Sequence, residues 1–169
     1  DLSAWEATVG APAGEMADWA DADLANDVSE AFGLPVKSLN DASAACLAEI
    51  AMGNSARYAC FAYFYIGTFI GGGVAIGGQL FNGQHNLAGA IASLPIASTS
   101  TGVAPQLLEG ASLHYLEQAA NEAGLDQENF YHEDELDQSC SEIFDEWLET
   151  ATPQIAFAAM SAQAFLDPD

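Results

Sequence analysis

The hydrophobic and polar positions divide this chain into stretches of different period. Between residues 139 and 165 the apolar residues recur at helical spacing, with Ile143, Trp147 and Leu148 followed by Ile155, Ala158 and Ala159. Residues 104–123 read the same way, so two helical stretches are expected. Pro153 should kink or split the later one, because its ring removes a donor and crowds the preceding turn. Residues 58–82 follow another pattern. Tyr58 through Gly78 carries no charge and is about as long as a bilayer-spanning helix. However, Gly67, Gly71, Gly72, Gly73, Gly77 and Gly78 weaken a helix there. Tyr58, Phe61, Tyr63, Phe64, Tyr65, Ile66, Val74 and Ile76 favour strands, and no basic cluster flanks the segment. Two buried strands, 58–66 and 72–82, joined by a glycine-rich turn are the expectation.

The rest of the chain is read more coarsely. Residues 1–32 look helical and acidic, with Trp5, Met16, Trp19 and Leu24 as apolar anchors and Pro12 and Gly14 as interruptions. Residues 33–39 are expected as a short strand after a turn, with Pro35 near its start, where a missing N–H is tolerated. The Ala-rich segment that follows predicts a helix, capped by Asn40 or Asp41 and ended by Gly53. Residues 83–97 carry turn signals, Asn82-Gly83 and Pro95. Strands interleaved with helices indicate an α/β fold.

Composition narrows the classes. The 169 residues contain 25 Asp and Glu against 2 Lys and Arg, a formal charge of -23, yet half of them are hydrophobic. That is too apolar for a disordered chain. Lys37 and Arg57 cannot make a nucleic-acid surface or hold an anionic membrane. The acid excess has three sources to consider: a solvated, self-repelling surface, adaptation to salt, or calcium binding. The richest acidic stretch, Glu122 to Glu149, includes Glu133, Asp134, Glu135 and Asp137 but does not follow the EF-hand loop pattern. No metal site is expected.

Cys46, Cys60 and Cys140 are odd in number and widely spaced, without a Cys-x-x-Cys pair. Free thiols in a reducing compartment, and hence a cytoplasmic location, are the expectation. Asp1-Leu2-Ser3-Ala4-Trp5 has neither Met nor the regions of a signal peptide and reads as a processed or cut end.

Two local signals carry chemistry. In Tyr65-Ile66-Gly67-Thr68-Phe69-Ile70-Gly71-Gly72-Gly73-Val74, a strand, a glycine turn and a second strand would let backbone N–H groups approach an anion. Glycine avoids the Cβ penalty at positive φ there. A tight hairpin without a ligand explains the same residues. The segment is neither a Walker A loop, which needs Gly-Lys-Ser/Thr, nor a Rossmann fingerprint, since no helix follows directly. Asn40-Asp41 stands at a strand-to-helix junction, where the helix dipole favours an ionised carboxylate. Asp41 could act as a general base or could simply cap the helix.

Together these signals are more specific. Asn-Asp-Ala at a helix start, Ile-Gly-Thr-x-Ile-Gly-Gly-Gly, Asn-Gly-Gln and Gly-Gln-His-Asn-Leu-Ala-Gly resemble the ROK family of sugar kinases and sugar-responsive transcriptional repressors. The likeness is close over residues 33–97 and looser through Met16-Ala17-Asp18-Trp19 and Phe165-Leu166-Asp167-Pro168-Asp169. It implies an incomplete lobe of an actin-like, ribonuclease H-like ATPase fold. Residues 1–39 would be the tail of the first lobe. Residues 40–169 would be the second, truncated before its adenosine-binding strand. By resemblance, Asp41 would be the base that activates a sugar hydroxyl and Asn40 a sugar contact. Gly67, Thr68, Gly71, Gly72 and Gly73 would approach the ATP phosphates. His85 would lie near the sugar.

The departures matter as much. Where the family reads Gly-Glu-Ile-Gly-His, this chain reads Gly89-Ala90-Ile91-Ala92-Ser93. Ala90 replaces a Glu that grips sugar hydroxyls, and Ser93 replaces a His that binds zinc and sugar. Thr99 to Gly110 stand where the family's zinc-binding cysteines would be, so no zinc is expected. A divergent subgroup of ROK regulators looks similar in this stretch. The resemblance therefore implies the sugar-sensing domain of a ROK transcriptional regulator. Its partners would be a small-molecule sugar, DNA through an upstream domain only, and further copies of itself, without a membrane. The alternative is an ATP-dependent sugar kinase with Asp41 as base, requiring ATP and Mg. A plain structural α/β piece is the third reading.

Overall fold

The computed structural model describes residues 6, 10–98, 102, 104–132 and 136–169. Trp5 and the acidic residues Glu133, Asp134 and Glu135 lie outside the described residues. The chain divides into two compact units, Asp1–Leu39 and Asn40–Asp169.

The first unit has less helix than expected. Among its described residues it holds a 3-10 turn at Ala17–Ala20 and one helix, α1 (Leu24–Phe32). Asp23 caps α1 by accepting from the Asn26 N–H at 3.1 Å. Gly33 closes it in the left-handed conformation, φ 65°, and donates to the Ser29 carbonyl. The expected strand at 33–39 is absent, since no ladder among the described residues includes it. The Ser29 hydroxyl instead donates to the Leu34 carbonyl at 2.8 Å, and Pro35 has no N–H to give a ladder. Trp19 and Leu24 are exposed at 40 % and 57 %, so they do not anchor a core.

The second unit is built on a sheet of three strands in the order β1-β2-β3. β1 is Phe61–Tyr65, β2 is Gly71–Ile76 and β3 is Gln79–Leu80. Both pairings are antiparallel. The strand expected over 72–82 is therefore two strands, separated at Gly77 and Gly78. Both have positive φ, 62° and 70°, as a two-residue hairpin turn of right-handed twist requires. In β1–β2 the aromatics Tyr63, Phe64 and Tyr65 stand opposite Gly73, Gly72 and Gly71.

Helix α2 (Asp41–Met52) packs on β2. It follows the expected span, and Asn40 rather than Asp41 is its N-cap. The glycines of β2 allow the close approach. A Cβ at Gly71 would stand 2.8 Å from Ala42 Cβ, and one at Gly73 would stand 2.5 Å from Cys46 Cβ. One at Gly72 would meet the Tyr63 carbonyl at 2.6 Å and Ile91 at 3.0 Å. None of Gly67, Gly71, Gly72 or Gly73 has positive φ. The expected glycine-rich turn is thus a turn of residues 66–70, with Gly71–Gly73 inside the strand. Space, not backbone conformation, makes those three residues glycine.

Residues 104–123 form two helices, α3 (Leu107–Ala111) and α4 (Leu113–Glu122), broken at the extended Ser112. A short α5 (Asn129–His132) precedes α6 (Gln138–Leu166), which is not split by Pro153. Burial of Ala151 and Ala158 on the face of α6 against α3 outweighs the one missing hydrogen bond. The core joins Ile70, Leu107, Ala111, Ala151 and Ala158, flanked by Phe64, Ile91, Trp147 and Ile155. Most buried residues are small, so the elements sit close together. Among the described residues no helix is long and apolar enough to cross a membrane.

Two outcomes follow. Gly73→Ala should lower stability by about 1–3 kcal/mol through overpacking against Cys46, read from urea midpoints; an unchanged midpoint would contradict the packing. Asp137 caps α6 by accepting from the Cys140 N–H at 2.8 Å, and such bonds hold its carboxyl below the usual range. A depressed folded value stabilises above the unfolded one and is lost as pH falls through the folded one. The stability gap between the wild type and Asp137→Ala should therefore be largest at neutral pH and shrink on acidification. A gap constant between pH 7 and 3 would contradict this.

Candidate functional site

The start of α2 places the two polar residues that the sequence singled out. Asn40 has extended backbone, φ -61° and ψ 144°, and its Oδ1 accepts from the Ser43 N–H at 3.3 Å. Asp41 Oδ1 accepts from the Ala42 N–H at 2.8 Å. Both side chains remain exposed. Each therefore satisfies a free N–H of the helix start while keeping other polar atoms toward solvent.

The close packing of α2 on β2 brings this helix start to the glycine strand. Ala42, next to Asp41, faces Gly71, the first residue after the turn of 66–70. The segment that follows the third strand reaches the same strand. Gly89, at φ +83°, lies against Gly73 so closely that a Cβ would stand 2.6 Å from its Cα. Ile91 lies against Gly72. Three segments thus converge on Gly71–Gly73: the start of α2, β1 with its turn, and residues 89–93.

Within the last segment, Ala90 and Ser93 are exposed, Ala90 just before and Ser93 at the end of a 3-10 turn at Ile91–Ser93, closed by the Ser93 N–H donating to the Ala90 carbonyl. Gly89 and Ile91 do the packing. Positions 90 and 93 present a methyl group and a hydroxyl. His85 is also exposed, on a loop with positive φ at Gly83 and Asn86 that is closed by the Ala88 N–H on the Asn82 carbonyl. No hydrogen bond among the described residues ties it to Asn40 or Asp41.

The turn itself is strapped down from the other side. The Gly67 and Thr68 carbonyls accept from the Leu113 and His114 N–H groups at 3.0 and 2.9 Å. The Ile70 N–H donates to Ser112 Oγ at 3.0 Å. Ser112 is fully buried, and the sequence reading missed it. A serine inside an apolar helical stretch was the available signal.

Cys46 and Cys140 are buried free thiols, while Cys60 is half-buried and points its Sγ at the Leu166 carbonyl. Burial pushes the Cys46 thiol up, and Glu49 adds to it. Among the described residues no three His, Cys, Asp or Glu side chains gather into a metal cage.

The ROK family profile matches residues 12–169. The bifunctional enzyme NanE/NanK of Brucella melitensis is 30 % identical over 151 residues, 86 % of this chain and 27 % of that protein. A candidate xylose repressor of Caldicellulosiruptor sp. is 33 % identical over 78 residues, 46 % of this chain and 20 % of that one. The crystal structure of a ROK hexokinase from Thermus thermophilus superposes with a TM-score of 0.61 at 27 % identity, covering 85 % of this chain and 50 % of that one. The fold is the actin-like ATPase fold of these structures. The chain spans about a quarter of the length of the bifunctional relative and half of the hexokinase.

The cap geometry yields its own expectation. Asn40→Ala should cost about 0.5–2 kcal/mol of stability, whereas Asn40→Asp should cost little because the capping oxygen is kept. Equal thermal unfolding of the two variants would remove Asn40 from the cap.

Proposed function

This chain belongs to the ROK family, and on that premise we propose that it is the sugar-sensing part of a ROK transcriptional regulator. One observation carries the reading. The segment packed on the glycine strand through Gly89 and Ile91 offers Ala90 and Ser93 at positions where the family resemblance expects a sugar-gripping Glu and His. The packing is intact and the charged grip is gone. Asn40, Asp41 and His85 remain as the polar groups to meet a sugar. Losing a charge-assisted hydrogen bond costs about 1.5–3 kcal/mol, roughly one to two decades of affinity. A sensor tolerates weak binding. Phosphoryl transfer depends on positioning, and loses rate when its substrate is held loosely. Similarity to a candidate xylose repressor supports the reading. DNA contact would come through a domain outside these residues, because Lys37 and Arg57 are too few to neutralise phosphates. No zinc enters, since residues 99–110 hold no cysteine.

A specific observation favours a second reading. Asp41 is present and exposed beside the glycine strand, and the NanE/NanK enzyme and the ROK hexokinase are among the similar proteins. In that reading Asp41 takes the proton of a sugar hydroxyl, and Gly67, Thr68 and Gly71–Gly73 approach the phosphates of MgATP.

The test uses the full-length protein. Hexoses should bind weakly by calorimetry without stimulating ADP release from MgATP. Joint restoration by Ala90→Glu and Ser93→His should tighten hexose binding by about one to two decades. Strong hexose-dependent ADP release, lost in Asp41→Asn, would establish the kinase reading instead.

A further inference from the structure

Ser112 is the one fully buried polar residue among the described residues. It is the N-cap of α4, yet its side chain does not cap that helix. Its hydroxyl oxygen accepts from the Ile70 N–H at 3.0 Å instead. In exchange, the turn's own carbonyls do the capping. Gly67 and Thr68 receive the first N–H groups of α4, from Leu113 and His114. The turn and the helix start therefore complete each other's unpaired backbone groups.

A second link leaves the same residue. The Ser112 carbonyl accepts from the Trp147 indole N–H at 3.2 Å, which joins it to α6. Ile70 meets α6 from the other side, because its side chain sits in the core with Leu107, Ala111, Ala151 and Ala158. Ile70 is only 2 % exposed, so water cannot replace the serine on its N–H.

We propose that Ser112 is the positioning residue that fixes the 66–70 turn, which leads into the glycine strand beside the start of α2, and ties it to α6. The inference rests on the reading of Asn40, Asp41 and the glycine strand as a ligand site, and it adds how the turn is held. Removing the hydroxyl leaves a buried N–H unpaired at one end of the turn and releases the turn without removing any side chain from the core.

Native-state hydrogen exchange on the full-length protein tests this without a ligand. In Ser112→Ala the Ile70 amide should exchange roughly fivefold to a hundredfold faster, with Leu113 and His114 following, while Val74, Ala75 and the middle of α6 keep their protection. Trp147→Phe should leave Ile70 protected. Unchanged exchange at Ile70, or equal acceleration throughout β2 and α6, would overturn the proposal. A parallel calorimetric titration uses glucose 6-phosphate, which carries a phosphate beside a hexose. If the wild type binds it, Ser112→Ala should bind severalfold more weakly, and equal binding would also overturn the proposal. If neither hexoses nor glucose 6-phosphate bind the wild type, the sugar-sensing reading fails and the exchange data alone decide the role of Ser112.

Discussion

The structure depends on one close approach, that of α2 to β2. It is possible only because Gly71 and Gly73 carry no side chain where Ala42 and Cys46 lie. The same strand, through Gly72 and Gly73, admits Ile91 and Gly89. A strand without side chains on either face can be approached from both, at the expense of the packing that side chains would give. The functional consequence is positional. Asn40 and Asp41 are held next to Ala42, which faces Gly71, because the helix they begin cannot stand off from the sheet.

This arrangement makes the outward positions of residues 89–93 separable from the fold. Gly89 and Ile91 contact the strand, whereas Ala90 and Ser93 between and beside them face outward. A substitution at these exposed positions changes the surface chemistry without opening a cavity. Changing Gly89 would strike the Gly73 backbone and strain a positive φ at once. Such a strand can therefore keep its shape while the side chains presented beside it vary.

Some of this was readable from sequence. The Ala-rich run after Asn40 announced α2 with both of its ends, since propensity, cap and Gly53 agreed. The aromatic and β-branched run announced β1. The glycines were ambiguous for a physical reason: a missing Cβ serves both positive φ and close contact, and only a structure separates the two. Gly77 and Gly78 serve the first purpose, Gly71 to Gly73 the second. The expected strand at 33–39 failed because a strand is defined by its partner, which local pattern does not contain. The break at Ser112 was hidden because the bond that stabilises it comes from Ile70, 42 residues away. The continuity of α6 through Pro153 likewise reflects tertiary burial that overrides a local penalty.

The charge of -23 sets a second constraint, and the helices show how it is met. With 2 cationic side chains in the chain, helix faces cannot be laced by Glu–Lys pairs. Carboxamides take that place. Asn26 donates to Glu30, Gln118 to Glu122 and Gln138 to Glu142, each across one helical turn. Carboxylates also face one another at the same spacing on α6, Glu142 with Glu146 and Asp145 with Glu149. Such exposed like-charge pairs each cost about 0.2–0.5 kcal/mol, less in salt. α2 escapes this burden. Its carboxylates are confined near its ends: Asp41 at the favourable end of the helix dipole, and Glu49 bonded to the Ser55 N–H, which holds its carboxyl below the usual range. Its outward face, Ala44, Leu47, Ala48 and Ala51, is exposed and uncharged. Repulsion is thus kept away from the helix that must lie closest to the sheet, so the acid excess can rise without prising apart the contact on which the site depends.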